Sequence, residues 1–490
     1  MKQTSILLIG LGAHAKRIYY KIAQRDGDKY GFRISHIVDR ETKKTDIQSF
    51  LRTQKDEKTP VLYVASPDKT NGHLQANLIE ELNNIVHKEK IVGVIIATDP
   101  ASHVAYARWA LSQGLSILMD KPISVHANAS TDPSVPHMLE KDYQELLHEY
   151  TIAKKTHPHV LFSLMAQRRF HPAFQKIKTL INEVYTRTNC PITSIQSFHG
   201  DGQWRLPQEL VDIPYHGYTD GYGKCSHSGY HFFDTMSWLL EAAEGKNKAI
   251  DEVEITVNAT RPNDYLEQLT PTDYKKLFPS QKQPTKKSLN KLMRTYGEID
   301  AFCSFAFKHK NATMTLGSVN LAHNSFSQRG WYSTKGKDLY KGNGRLRHEM
   351  HIIEQGPFQA IEFVSLQSEE VKPENKKNLF EPGGEYHLDI HVFRNHALFP
   401  DWKSYEKISI RDLSEKTLVD HSRGHQEDAR RNAVLEFVAF LHGKRVQPIS
   451  DFADHQRSVT LLTGVYNSMA NRFIGKNPII KLPFKNTYEY

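Results

Sequence analysis

A short glycine-rich segment near the start of the chain has the spacing of a dinucleotide-binding turn. Gly10-Leu-Gly12-Ala13-His14-Ala15 fits the pattern G-x-G-x-x-A and lies between an apolar run and a helical stretch. In such a turn the first glycine allows the bend, the second lets the backbone approach a pyrophosphate, and a small third residue lets helix and strand pack closely. The helix then presents free N–H groups and its positive end to the phosphates. We therefore expect Gly10, Gly12, Ala13, His14 and Ala15 to bind the cofactor.

An acidic residue after the second apolar run is a candidate for selecting the cofactor. Asp39 lies 27 residues after Gly12, further along than the usual spacing of about 20, and the polar segment 24–31 accounts for the extra length. A carboxylate at this place accepts hydrogen bonds from the ribose hydroxyls and repels a 2′-phosphate, whereas Arg40 beside it could hold that phosphate. The pair favours NAD(H) over NADP(H) and leaves NADP(H) open as the alternative.

Two further segments carry polar residues where apolar runs end. Thr98 and His103 follow one such run, and Asp120-Lys121-Pro122 follows the next. Parallel sheets bind ligands outside the carboxyl ends of their strands, so these side chains are expected beside the glycine-rich turn.

A histidine-rich segment in the second half of the chain carries the other candidate groups. His227 and His231 lie four residues apart, and Asp234 follows three residues later. On a helix these side chains would share a face, which is also the spacing of a possible divalent-metal site. Gly229 lies between the two histidines, and 26 histidines in the chain make chance pairs common. We therefore predict no metal at this segment.

Taken together, these segments resemble the Gfo/Idh/MocA oxidoreductase family, which includes glucose–fructose oxidoreductase and inositol dehydrogenases. The likeness lies in residues 94–123, in the arginine-containing segment 166–172, in 223–234, which matches G-x-x-x-D-x-G-x-H-x-x-D in spacing, and in the C-terminal helices. It therefore spans almost the whole chain. The chain departs from the family at Asp120, where the family has Glu before Lys-Pro, and at His227, which replaces the Asp of D-x-G-x-H.

The resemblance implies a role for each residue at a matching position. It implies contacts on the nicotinamide side of the cofactor for residues Thr98, His103, Asp120 and Lys121. It implies that Lys121 and His231 surround the reacting carbon. It implies substrate contacts for Arg168, Arg169 and Asp234.

Elementary chemistry gives the central residues workable roles. Hydride transfer from an alcohol needs a base for the hydroxyl proton, and histidine is the side chain that titrates near neutrality. We expect His231 to be that base and Lys121 to stabilise negative charge on the same oxygen. His227 could polarise the substrate or relay a proton, although it cannot supply the fixed negative charge of an aspartate. Alternatives stay open: Lys121 as a surface lysine, the histidines as structural residues, and Asp234 as a packing residue.

The elements around these residues predict an α/β fold in two parts. Over residues 1–165 short apolar runs alternate with helical stretches, which is typical of a Rossmann-type, doubly wound parallel sheet. Over 166–425 short β-like runs with few helices predict an α+β domain with an open, mainly antiparallel sheet. Within it, the segments 263–298 and 367–425 are interpreted as insertions or edge connections. Residues 426–490 are predicted to be C-terminal helices that pack back on the body.

Composition and charge narrow the functional class. No apolar run approaches the roughly 20 residues needed to span a bilayer, and the first apolar run is too short for a signal-peptide core. The three cysteines at 190, 225 and 303 are odd in number and widely spaced, which indicates reduced thiols rather than disulfides. The net charge of +9 is a mild excess for 490 residues. We expect a cytoplasmic protein that binds neither membranes nor nucleic acid.

These observations predict an NAD(P)-dependent oxidoreductase that acts on a sugar, cyclitol or related polyol. One alternative is an NAD-dependent glycosidase that cleaves by oxidation and elimination and then returns the hydride. Another is a non-catalytic NAD-binding or sensing protein. The resemblance further implies a homo-dimer or homo-tetramer that associates through the open face of the second sheet.

Overall fold

A computed structural model describes most of the chain. It covers residues 3–65, 72–202, 210–211, 217–245, 247–277, 279, 286–326, 345–369, 379–414, 425–444 and 447–485. The contacts between residues divide the chain into two compact units. The first unit comprises Met1–Val125, Met138–His171 and Gln426–Gln456, and the second comprises His126–His137, Pro172–His425 and Arg457–Tyr490.

The first unit contains a six-stranded, fully parallel sheet. Its strands are β1 (Thr4–Ile9), β2 (Phe32–Arg40), β3 (Val61–Val64), β4 (Gly93–Ile96), β5 (Ser116–Met119) and β6 (Phe162–Leu164). Their order in the sheet is β3-β2-β1-β4-β5-β6, which is that of a Rossmann fold. The central strands are almost wholly apolar and buried, as expected where helices cover both faces of a parallel sheet.

The second unit contains a nine-stranded sheet. Its strands are β7 (Ser194–Gly200), β8 (Glu252–Thr260), β9 (Asp300–His309), β10 (Ala312–Ala322), β11 (Arg345–Gln355), β12 (Gln359–Glu369), β13 (Asp389–Arg394), β14 (Tyr405–Ser409) and β15 (Ile480–Pro483). Their order is β14-β13-β12-β11-β7-β10-β9-β8-β15, and every pair is antiparallel except β7 with β10. The predicted fold class, a Rossmann sheet followed by an open and mainly antiparallel sheet, is confirmed.

The helices connect and cover these strands. The first, α1, runs from Ala13–Ala15 through a π-turn at Lys16–Tyr20 into Lys21–Tyr30. The next are α2 (Lys44–Thr53), α3 (Ala76–Glu89), α4 (His103–Ser112), α5 (His137–Thr156) and α6 (Pro172–Thr188). Helix α7 begins with a π-turn at Cys225–Gly229 and continues as Tyr230–Leu240. The remainder are α8 (Pro262–Gln268), α9 (Pro271–Leu277), α10 (Lys286–Leu292), α11 (Ile410–Ser414), α12 (His425–Leu441) and α13 (Gln456–Phe473). None of the described helices has the length and hydropathy of a membrane span.

The C-terminal helix α12 belongs to the core of the first unit. Its residues Phe437 and Val438 are buried in one cluster with Ile6 and Ile18 of the amino-terminal elements. Arg431 on α12 also forms a bidentate ion pair with Asp26 on α1, with both oxygen–nitrogen distances at 2.9 Å. Burial works against the charged form of Asp26, but the hydrogen bonds from Arg431 and Arg25 still lower its pKa. These contacts explain how a segment so late in the chain joins the Rossmann sheet.

Two predicted segments differ in the structure. The segment 367–425, interpreted as a connection, instead supplies β13 and β14, which extend the sheet through alternating buried residues such as Ile390 and Val392. Within 263–298 the described residues form the short helices α8, α9 and α10. The division by contacts also places 126–137 in the second unit and separates the two C-terminal helices near residue 456. The predicted boundaries had treated 426–490 as one piece.

The two faces of the nine-stranded sheet have different environments. One face packs on α6 and α7, where Phe174 stacks on Phe363 and Phe232 stacks on His351. The opposite face exposes large apolar side chains on five strands. These are Phe302, Leu316, Met350, Phe393 and Tyr405. We call these five residues the open-face patch.

Candidate active site

The turn after β1 requires glycine at its first position. Gly10 has a φ angle of +93°, and a Cβ atom there would lie 2.6 Å from the carbonyl oxygen of Ala97. The backbone N–H of Gly10 also donates to the carbonyl of Val38 at 2.8 Å. The bend is therefore constrained on two sides. The Val38 carbonyl on β2 accepts the N–H of Gly10, and the Ala97 carbonyl, directly after β4, leaves no room for a side chain.

The second glycine matters for a different reason, which is the space beside it. Gly12 has φ −69° and ψ 178°, which any residue can adopt, and a Cβ atom there would meet nothing within 4 Å. This open space lies directly before the amino end of α1, where the first helical bond runs from the Lys16 N–H to the Gly12 carbonyl. Ala15 is completely buried, so its small side chain permits the close packing of helix on sheet. The space and the free N–H groups suit a pyrophosphate.

Asp39 lies at the carboxyl end of β2 and faces the same turn. Its carboxylate accepts the N–H of Leu11 at 2.6 Å and the N–H of Arg40 at 2.7 Å. The side chain is half-buried, and a carboxylate has further lone pairs for the hydroxyls of a ribose. Asp39 therefore links the glycine-rich turn to the position where the fold places an adenosine ribose.

The ends of β4 and β5 are joined by a buried histidine. His103 is completely buried, and its ring nitrogens lie 2.8 Å from the Pro122 carbonyl (Nδ1) and 3.2 Å from the Thr98 carbonyl (Nε2). Burial lowers the pKa of His103, with Asp120 acting in the opposite direction. His103 thus connects the segments that follow the two strands, and its expected contact with the cofactor stays a prediction.

Asp120 and Lys121 follow β5, next to the first turn of α1. One carboxylate oxygen of Asp120 accepts the N–H of Lys121 at 2.9 Å, and the other lies 3.3 Å from Nε2 of His14. Burial lowers the pKa of His14, and Arg430 adds to that shift while Asp120 opposes it. Because 40% of the His14 side chain is exposed, water weakens this lowering of the pKa. The imidazole of His14 is nevertheless neutral at neutral pH. Lys121 is half-buried.

Residues that the sequence analysis missed surround the His14–Asp120 pair. Arg430 on α12 donates to Glu427 at 2.8 Å, and Glu427 also lies 3.4 Å from Arg17. Tyr19 is completely buried, and burial together with the charge of Asp120 raises its pKa well above the usual value. Nothing in the sequence pairs α12 with α1, since more than 400 residues separate them.

In the second unit, helix α7 carries the predicted histidines. His227 lies within the π-turn and its Nδ1 is 2.9 Å from Oγ of Ser228, while His231 lies on the first α-helical turn. Both side chains are half-buried. Among the residues that the structure describes, no group of three metal-ligating side chains occurs.

The three expected substrate residues are all buried. Arg169 is 1% exposed and donates to the carbonyls of Ile449 and Asp454 at 3.5 and 3.3 Å. Asp234 is also 1% exposed and accepts a hydrogen bond from Ser458 at 3.0 Å. These bonds connect elements within each unit, and the contacts of Arg168, Arg169 and Asp234 with a substrate stay a prediction.

Comparison with known protein families finds one match, near the start of the chain. Residues 4–133 match the model of the GFO_IDH_MocA oxidoreductases, which describes their NAD-binding Rossmann fold. This part of the chain is therefore similar to the NAD-binding domain of that family. The resemblance seen in the sequence motifs is thereby confirmed for the part of the chain that carries the glycine-rich turn, Asp39 and Lys121.

Solved structures share the fold of the whole chain at low identity. An oxidoreductase from Agrobacterium radiobacter, solved with NAD+, L-tartaric acid and magnesium, is 13% identical with a TM-score of 0.54, and the match covers 99% of each chain. The aldose–aldose oxidoreductase from Caulobacter crescentus is 12% identical over 98% of this chain and 100% of that one, with a TM-score of 0.54. The WlbA dehydrogenase from Bordetella pertussis is 13% identical over 99% and 98%, with a TM-score of 0.55. No curated protein sequence matches the chain.

Proposed function

We propose that this chain is an NAD(P)-dependent oxidoreductase that moves hydride to or from a hydroxyl-bearing carbon of a sugar, cyclitol or related polyol. The observation that carries the proposal is the open space at Gly12 before the amino end of α1, with Asp39 beside it. The similarity of residues 4–133 to the NAD-binding domain of the Gfo/Idh/MocA family supports it. Dehydrogenases with this fold, including WlbA in complex with NADH and UDP-GlcNAcA, support the substrate class.

In this proposal each candidate residue has its own role in binding or catalysis. A nicotinamide, when bound, supplies the acceptor or donor of hydride. Asp39 would hold the ribose hydroxyls and the N–H groups at the start of α1 would hold the phosphates. His231 would take the proton of the substrate hydroxyl, and Lys121 would stabilise the negative charge that develops on that oxygen. His227 would support His231, and Arg168 would contact the substrate.

The test is a screen of the purified protein with NAD+ or NADP+ against sugars, cyclitols and polyols. Formation of the reduced cofactor with one class of polyol supports the proposal. His227, in place of an aspartate, favours examining two alternatives in the same screen. Cleavage of aryl glycosides without net reduction of the cofactor would indicate oxidation and elimination, and tight cofactor binding with neither reaction would indicate a sensing protein.

The first prediction is that NAD(H) binds at least about tenfold more tightly than NADP(H), because the charge of Asp39 repels a 2′-phosphate. Calorimetric titration of both cofactors measures this difference. Asp39→Asn removes the charge and retains one oxygen for the N–H of Leu11. This variant is therefore expected to reduce the difference in affinity between NAD(H) and NADP(H). Arg40→Ala serves as the matched control and should leave NAD(H) binding nearly unchanged. Tighter binding of NADP(H) to the wild type would show that Arg40 dominates.

The second prediction concerns the open-face patch, which we propose as the contact between copies in a homo-dimer or homo-tetramer. Leu316 is the most exposed of the five side chains, at 61%, and exposed apolar surface is typical of association sites. Light scattering should give a multiple of the monomer mass for the wild type and a smaller species for Leu316→Glu. Ile152→Glu, at a 48% exposed position on α5, is the control. A wild-type monomer would contradict the proposal.

The three cysteines are all free thiols in the structure. Reduced cysteines are typical of the cytoplasm, which supports the proposed location there.

A further inference from the structure

The start of helix α7 is capped by a residue that is distant in the sequence. Glu298, which lies two residues before β9, accepts the N–H of Cys225 on its Oε1 at 2.8 Å. Its backbone carbonyl accepts the N–H of Lys224 at 3.0 Å. Glu298, Cys225 and Lys224 are all completely buried. The approach is so close that a Cβ atom on Gly223 would lie 2.1 Å from the Glu298 carbonyl oxygen.

A tyrosine from α13 also contacts the start of helix α7. The hydroxyl of Tyr466 lies 3.1 Å from the N–H nitrogen of Ser226, 2.6 Å from Oγ of Ser226 and 3.4 Å from the N–H nitrogen of Gly223. It also donates to Oε1 of Glu298 at 3.2 Å. Tyr466 is completely buried.

These contacts account for every unpaired donor at the start of the helix. The first four N–H groups of a helix have no partner within it. Here they belong to residues 223–226, and the first internal bond runs from the N–H of His227 to the Gly223 carbonyl. Glu298 receives two of the four donors and Tyr466 receives the other two. The start of the π-turn, and with it the direction of the His227 backbone, is therefore set by two residues from distant elements.

The hydrogen bonds of Glu298 do not depend on its charge. Burial raises its pKa, and the Cys225 N–H, the charge of Arg261 and the Tyr466 hydroxyl act in the opposite direction without reversing the shift. A protonated carboxyl group keeps an acceptor oxygen. Glu298 can therefore accept the N–H of Cys225 in either protonation state.

We propose that Glu298 and Tyr466 are positioning residues, which orient His227 and His231 by fixing the first turn of α7. This rests on the proposed function only in that it takes these two histidines as the groups that act on the substrate. Neither positioning residue needs to touch the substrate. Their removal is expected to disturb the histidines without a comparable effect on the first unit.

The test uses the full-length protein and four variants. Glu298→Ala removes the acceptor of the Cys225 N–H, whereas Glu298→Gln keeps an oxygen at nearly the same place. Tyr466→Phe removes the hydroxyl, and Ser468→Ala is its control. Ser468 lies on the same helix, is equally buried and accepts the N–H of Val257 at 2.9 Å, away from the π-turn. If Glu298→Ala does not fold, Tyr466→Phe and Ser468→Ala still make the comparison.

Amide hydrogen exchange measures the cap directly. Exchange in the peptide 223–229 should be about tenfold faster or more in Glu298→Ala and Tyr466→Phe. It should stay close to wild type in Ser468→Ala and be largely restored in Glu298→Gln. Unchanged exchange in both Glu298→Ala and Tyr466→Phe would overturn the assignment of the cap.

The orientation of the histidines needs its own readout. Mass spectrometry resolves the exchange of the imidazole C2 proton in the peptides with His227 and His231, and its pH profile reports the environment of each ring. We expect about a threefold or larger change in the two capping variants, with rescue by Glu298→Gln and no change in Ser468→Ala. If backbone exchange becomes faster while the imidazole profiles stay unaltered, Glu298 and Tyr466 only cap the helix, and the proposal that they orient the histidines is wrong. These results do not depend on activity, so they stand apart from the polyol screen.

Discussion

Gly12→Val is expected to fold like the wild type and to lose NAD affinity by about 100-fold or more, because the new side chain occupies the space for the pyrophosphate. The backbone at Gly12 is extended and meets nothing within 4 Å, so the substitution costs the unliganded protein little. Thermal unfolding should give a Tm close to that of the wild type, and calorimetric titration should detect the loss of NAD binding.

The matched variant at the other glycine is expected to fail in the opposite way. Gly10→Val forces a side chain into a left-handed backbone and against the Ala97 carbonyl, and strain of this kind costs about 1–3 kcal/mol before the clash is counted. A lower Tm is therefore expected for Gly10→Val, in contrast to Gly12→Val. Normal NAD affinity in a folded Gly12→Val protein would move the cofactor site elsewhere.

Lys121→Ala and His231→Ala are each expected to lose turnover by about 10²–10⁴-fold, which is the usual contribution of a positioned acid or base. Cofactor affinity should remain near the wild-type value, because neither residue contributes to the glycine-rich turn or to the Asp39 contacts. Steady-state rates with the polyol found in the screen, together with NAD titration, separate the two effects. Full activity in both variants would exclude this assignment.

His227→Asp distinguishes two accounts of the same site. If the protein carries out the dehydrogenation usual in the Gfo/Idh/MocA family, an aspartate at this position should be tolerated or should raise the rate. If His227 serves a different reaction, the aspartate should be as harmful as His227→Ala. The comparison of both variants under the same conditions decides between these outcomes.

The first sheet could be predicted from the sequence because its signals are local. Buried parallel strands are short apolar runs, and the glycine-rich turn constrains its own backbone, so Gly10 and Gly12 are recognisable without any distant contact. Strands β13 and β14 were missed because they lie in a polar stretch and are recognised by their pairing with β12. Such pairing depends on residues far apart in the chain.

Candidate site residues followed the same division. Asp39 and Lys121 follow strands and were predictable from that position. Arg169 and Asp234 were predicted from residue type and position, but their hydrogen-bond partners, the Ile449 carbonyl and Ser458, lie more than 200 residues away and could not be predicted. Glu298 and Tyr466 could not be identified as candidate residues from the sequence. Their importance comes from hydrogen bonds to α7 that no local pattern records.

The π-turn within α1 has a consequence for aligning this chain with its relatives. A π-turn holds one residue more than an α-turn, and each residue of an α-helix turns by about 100°. His14, before the turn, faces Asp120, while Asp26, beyond it, faces Arg431. Deleting one residue from Lys16–Tyr20 would turn the π-turn into an ordinary α-turn and keep both pairings, whereas an α-turn formed by the unchanged sequence would rotate Asp26 by about 100° away from Arg431. A relative with an unbroken helix therefore requires a one-residue gap within α1, and an alignment without that gap would misplace every later residue of the helix.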